Sequence, residues 1–72
     1  MENESFGQLV ERLRKEKKMT IYELAEKSGL STVEVSNIEN DKHKPRLTTL
    51  NKLVGALQCD YMLLYNAYQR IK

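Results

Sequence analysis

The stretch TIYELAEKSGLSTVEVSNIEN, running from Thr20 to Asn40, decides the fold. It contains the same helix-start signal twice, Thr20-x-x-Glu23 and Ser31-x-x-Glu34, on either side of Gly29. In such a box the hydroxyl of the first residue accepts a hydrogen bond from the backbone N–H three positions on. The carboxylate found there accepts from the N–H of the first residue. Apolar pairs sit at the positions that staple the chain as it enters each helix, Met19 with Leu24 and Leu30 with Val35. The spacing predicts helices that begin at Ile21 and Thr32. Gly29 stands where the first of them must stop and turn through positive φ. Two short helices joined through one glycine make a helix-turn-helix unit over about residues 20–40.

Working outward, Ser5-x-x-Gln8 is a third capping box and opens a first helix, with Phe6, Leu9, Val10 and Leu13 at helical spacing. That helix is expected to fade near Lys17, because Lys15, Lys17 and Lys18 suit the negative end of a helix dipole. The helix from Ile21 to about Ser28 turns Leu24 and Ala25 inward, Ala25 where the crossing leaves no room for more. The helix from Thr32 to about Asn40 turns Val35 and Ile38 inward and leaves Thr32, Val33, Ser36 and Asn37 on other faces. Asp41 falls where a left-handed residue is wanted, and Pro45 keeps the polar loop 41–46 from continuing as helix. A fourth helix covers Leu47 to Leu57, with Leu47, Leu50, Leu53, Val54 and Leu57 as its stripe. Its start is poorly marked, since Arg46 is no capping residue, and Gly55 within it suggests a close helix approach. Asp60 caps a fifth helix from Tyr61 to about residue 70. With no strand alternation anywhere, the reading is all-α, five helices in a single domain spanning residues 1–72.

The composition fits a globular chain: 31% of the 72 residues are charged and 40% apolar. A core this small is marginal without a staple or a partner. The net charge is only +2, so its distribution carries more than its sum. Arg12, Arg14, Lys15, Lys17 and Lys18 form one basic cluster. Lys42, Lys44 and Arg46 form a second, in the loop behind the Thr32 helix, where phosphate contact is expected. Cys59 is the only cysteine, which excludes an internal disulfide, and its apolar setting reads as a small core residue. With no leader-like segment and no membrane-length apolar run, a cytoplasmic protein is expected. His43 has no partner at metal spacing, so no metal or other cofactor is expected. Neither a nucleophile–base pair nor a carboxylate dyad is present, which argues against an enzyme.

The fifth helix is apolar or aromatic on most sides: Tyr61, Met62, Leu63, Leu64, Tyr65, Tyr68 and Ile71. One stripe suffices for a small core, so the rest is expected to form an interface, most simply a helix pair across a two-fold axis of a homodimer.

Leu13-Arg14, Thr20, Leu24-Ala25, Gly29, Ser31, Val35-Ser36, Ile38-Glu39-Asn40, Pro45, Leu50, Leu53 and Leu57 together resemble the Cro/CI-type (Xre) phage-repressor family, over about residues 6–65. The resemblance implies a compact five-helix, lambda-repressor-like domain of bacterial or phage origin whose partner is double-stranded DNA. It implies that Arg14 pairs with Glu39 beneath the reading helix, as structural residues. It places base readers at Thr32, Val33, Glu34, Ser36 and Asn37. Thr32 and Val33 suit thymine methyls, and the Asn37 amide suits adenine N6 and N7 in bidentate fashion. Phosphate contacts are expected from Thr20, Tyr22, Asn40, Lys42, Lys44 and Arg46.

Two positions depart from the pattern. Many members carry glutamine where Ile21 stands, bonding a phosphate and bracing the reading helix, which isoleucine cannot do. Glu34 is acidic in a groove lined by phosphates, and serves more cheaply as the third residue of its capping box than as a cytosine reader. The leading expectation is a sequence-specific repressor that binds an inverted-repeat operator as a homodimer, with half-sites about 34 Å apart. With no room for a small-molecule ligand domain, control is expected from concentration, proteolysis or a protein partner such as a toxin or antirepressor. The alternative is an interaction module that keeps the fold and has lost DNA binding. The low net charge, Ile21, Glu34 and the apolar fifth helix speak for it.

Overall fold

A computed structural model describes residues 4–71. Five helices follow one another: α1 Phe6–Glu16, α2 Ile21–Ser28, α3 Thr32–Glu39, α4 Leu47–Leu57 and α5 Tyr61–Gln69. No strand occurs among the described residues.

All three capping boxes form. Ser5, Thr20 and Ser31 accept from the backbone of Gln8, Glu23 and Glu34, and those side chains return the bond to the cap residue's own N–H. Each cap is worth about 1 kcal/mol. Gly29 closes α2 at φ 79°, in the left-handed region. Ser28 braces this turn from within: its buried hydroxyl donates to Leu24 O at 2.7 Å and accepts from the Leu30 N–H at 3.3 Å. Asp41 takes φ 55° after α3, as its place in the sequence suggests. Lys18 (φ 59°) and Gln58 (φ 52°) make the same left-handed turn without the glycine or asparagine that would advertise it.

The core is built from Phe6, Leu9, Val10 and Leu13 of α1, Leu24 and Ala25 of α2, Val35 and Ile38 of α3, Leu50, Leu53 and Leu57 of α4, and Leu64 and Ala67 of α5. Two expectations for α4 fail. Leu47 is 47% exposed, because it lies at the helix start beyond the point where α4 meets its neighbours. Gly55 faces open space, with nothing within 4 Å of where a Cβ would stand. The close approach is at Gly7 instead, where a Cβ would collide with the backbone oxygens of Ile38 and Glu39. Cys59 packs half-buried against the core rather than within it, and burial pushes its thiol pKa up.

Candidate nucleic-acid interface

Helix α3 is fixed from below at its C-terminal end. Arg14 is buried and forks onto Glu39, with Nε donating to Oε2 at 2.7 Å and Nη2 to Oε1 at 3.1 Å. Its remaining nitrogen, Nη1, donates to Met19 O at 2.9 Å, which ties the start of the α2 segment to the same guanidinium. The hydrogen bond to Glu39 raises the Arg14 pKa, against the opposing effect of burial, so the guanidinium stays charged. No buried side-chain nitrogen or oxygen among the described residues lacks a partner. The pair is therefore satisfied, the condition under which a buried ion pair is tolerated.

A second clamp was not visible in the sequence. The Asp41 carboxylate, just past α3, accepts from the Gly7 N–H at 2.9 Å and from the Ser5 hydroxyl at 2.7 Å. It sits at the positive end of α1, where a carboxylate is favoured. Gly7 leaves the space that lets the α3 terminus approach so closely.

With its inner face held, α3 turns a different set outward. Val33 is 65% exposed, Glu34 is exposed, and Thr32, Ser36 and Asn37 are half-buried. Thr32, Val33, Ser36 and Asn37 line one shallow depression of about 310 Å³ together with Ile21 and Tyr22 of α2. The structure thus brings four of the five expected base readers together. Glu34 lies apart from them, lining the groove toward His43 and Lys44, and its Oε1 accepts from the Ser31 N–H at 3.0 Å. Its carboxylate is engaged as a cap.

The expected phosphate contacts come from two segments, and Tyr22 among them lines the depression itself. Thr20 and Tyr22 lie at the start of α2, Tyr22 being 76% exposed. The Thr20 hydroxyl accepts from Glu23 N, which leaves its proton to donate. Asn40 engages one amide hydrogen with Ser36 O at 2.9 Å. Lys42, Lys44 and Arg46 are all exposed, and no acidic side chain among the described residues pairs with them. Lys44 rests its ammonium 5.0 Å from the centre of the Tyr68 ring. The Tyr68 hydroxyl donates to Pro45 O at 2.8 Å, and its ring meets Phe6 edge-on at 5.9 Å. This loop is thereby held from α5. No side chain caps α4 at Arg46, so its first-turn N–H groups have no side-chain acceptor beside these cations.

The first basic cluster is arranged differently. Arg12 donates to Glu4 and Glu16, Lys15 pairs with Glu11, and Arg14 is buried. On α5, Tyr61, Met62 and Leu63 are exposed, Met62 at 51%. Tyr65, Tyr68 and Ile71 pack half-buried against the core, and Tyr61, Tyr65 and Tyr68 stack in a row, at ring separations of 5.4 and 6.4 Å. Of the expected interface residues Tyr61, Met62, Leu63, Tyr65, Tyr68 and Ile71, the first three are therefore exposed, Tyr61 with one ring face on Tyr65, and the other three already pack inside the chain. No described helix is long and apolar enough to cross a membrane.

The comparisons with known proteins agree with this geometry. The helix-turn-helix family HTH_3 matches residues 10–64. The chain is 44% identical over 66 residues to the HTH-type transcriptional repressor RghR of Bacillus subtilis, covering 89% of this chain and 49% of that protein. It is 45% identical over 51 residues to the immunity repressor protein of Bacillus phage phi105, covering 71% of this chain and 35% of that protein. The chain thus spans half or less of the length of these relatives. In structure it resembles the N-terminal DNA-binding domain of SinR from Bacillus subtilis, with TM-score 0.79 and 31% identity over 88% of this chain and 93% of that one. The restriction-modification controller protein C.Esp1396I, in a complex with a 19 base pair DNA duplex, shares the fold with TM-score 0.78 at 22% identity, over 93% of this chain and 89% of that one. With the family match running from within α1 into α5, this chain belongs to the Xre-type helix-turn-helix family.

Proposed function

We propose that this chain is a sequence-specific DNA-binding transcriptional regulator, a repressor, that recognises an inverted-repeat operator as a homodimer. One observation carries the reading. The outer face of α3 is presented on a helix locked from beneath by Arg14–Glu39 and Asp41, followed by three exposed cations that pair with no acidic side chain among the described residues. Thr32, Val33, Ser36 and Asn37 then meet base edges in the major groove, and Asn37 has the amide that suits adenine. Thr20, Tyr22, Asn40, Lys42, Lys44, Arg46 and the uncapped start of α4 take phosphates on either side. Glu34 holds the helix end and reads no base.

The exposed Tyr61, Met62 and Leu63 support pairing of α5 with its copy across a two-fold axis. Relatives from Bacillus subtilis and a Bacillus phage support a role inside a bacterial cell.

Selection of bound sites from random duplex DNA, followed by sizing of the complex, tests both parts. The expected result is an inverted repeat with half-sites about one helical turn apart and two chains per duplex. No enrichment at low salt would overturn the reading in favour of a protein-interaction module. The Leu63→Asp variant is expected to sediment as a monomer at concentrations where the parent is dimeric. An unaltered species would move the interface away from α5.

A further inference from the structure

The loop that carries the exposed cations has little of its own to hold it. Residues 43–45 make no hydrogen bond to another backbone group among the described residues, and Pro45 has no N–H to offer. The segment is held instead by one side chain of α5. The Tyr68 hydroxyl donates to Pro45 O at 2.8 Å, and Pro45 is buried. The Lys44 ammonium lies 5.0 Å from the centre of the same ring. That ring is braced in turn, edge-on by Phe6 at 5.9 Å and by the Tyr65 ring at 6.4 Å.

A lysine side chain free in solvent samples many rotamers, and an anion that binds it must order both the side chain and the loop beneath it. Against Tyr68 much of that ordering is done before any anion arrives. The ring takes one side of the ammonium, and because Lys44 is exposed its other side stays open.

We propose that Tyr68 is a positioning residue for DNA binding. It fixes loop 42–46 through the Pro45 carbonyl and seats the Lys44 ammonium for a phosphate, so that α5 sets affinity from behind the contact surface. Tyr68 itself touches no DNA, and it stands outside the helix pairing that Tyr61, Met62 and Leu63 support. The inference rests on Lys44 meeting a phosphate, as proposed above.

The test uses the duplex obtained by selection. Tyr68→Phe keeps the ring and removes only the bond to Pro45 O. It is expected to bind about three-fold more weakly, because the loop is then ordered at the expense of binding. Tyr68→Leu removes the ring as well and is expected to lose about ten-fold. In a Lys44→Ala background the loss from Tyr68→Leu is expected to shrink to about three-fold, since the part that acts through Lys44 is gone. An equal fold-loss in both backgrounds would mean a structural role alone and overturn the proposal, as would parental affinity in both Tyr68 variants. Tyr68→Phe is expected to sediment as the parent does, and a shift to monomer would overturn the proposal by returning Tyr68 to the dimer interface. In the free protein, nuclear Overhauser contacts are expected between the Lys44 side chain and the Tyr68 ring. Their absence would overturn the seating of Lys44 and leave the DNA-binding reading untouched. Absence of binding to any duplex would overturn that reading, and this inference with it.

Discussion

Two stretches of this chain are rich in cations, residues 12–18 and residues 42–46, and the structure pairs the first with carboxylates far more than the second. On α1, Arg12 is bonded to Glu4 and Glu16, Lys15 to Glu11, and Arg14 is turned inward onto Glu39. In the loop before α4, Lys42, Lys44 and Arg46 meet no acidic side chain among the described residues, and Lys44 has only the face of Tyr68. Three of the five cations of the longer cluster meet carboxylates, Lys17 and Lys18 being exposed without one, whereas none of the three in the shorter cluster does among the described residues. The place of the second cluster in the sequence, in the loop behind the Thr32 helix, already favours it for phosphate contact. Asking what answers each charge points to the same cluster.

The largest expected effect tests the inward-turned member of the first cluster. Glu39→Ala leaves Arg14 buried without its carboxylate and is expected to cost about 3–5 kcal/mol of stability. Denaturant unfolding measures it, and a loss below about 1 kcal/mol would show that the pair does not hold α3. Next comes the outer face of α3, proposed to meet base edges. Asn37→Ala is expected to lose about 1–3 kcal/mol of discrimination at one base position, with little change elsewhere. An unchanged preference in a repeated selection would remove Asn37 from the readers. Lys44→Ala is expected to weaken binding evenly across sequences and to flatten the slope of log affinity against log salt by about 0.9. Loss confined to one sequence would make it a base contact instead. The smallest effect is expected from Lys15→Ala, whose exposed pairing with Glu11 is worth about 0.5 kcal/mol or less. A change in the salt slope for Lys15→Ala would erase the distinction between the clusters.

Much of this arrangement was legible because it is local. The boxes at Ser5, Thr20 and Ser31 and the left-handed turns at Gly29 and Asp41 each involve neighbours within a few positions, where residue type dictates geometry. The Arg14–Glu39 pair spans 25 positions and was foreseen through the family resemblance, not from spacing. What escaped was long-range and unmarked by pattern. Asp41 accepts from Gly7 across 34 positions, and Tyr68 reaches Pro45 across 23. A glycine in a helix announces that something comes close, but not which helix end it serves, and so Gly55 drew the attention that belonged to Gly7. Leu47 misled for a related reason: a stripe extrapolated to the first residue of α4 runs past the edge of the core. In the candidate site, the four outward residues of α3 followed from helical periodicity. That Ile21 and Tyr22 join them in one depression did not, because it depends on how α2 and α3 cross.

The most direct test of the account is the salt dependence of binding to a selected duplex for two paired variants. One is Lys42→Ala with Lys44→Ala, the other Arg12→Ala with Lys15→Ala. The account predicts that the loop pair flattens the slope by about 1.8 and that the α1 pair leaves it unchanged. A flattened slope for the α1 pair with an unchanged one for the loop pair would contradict it.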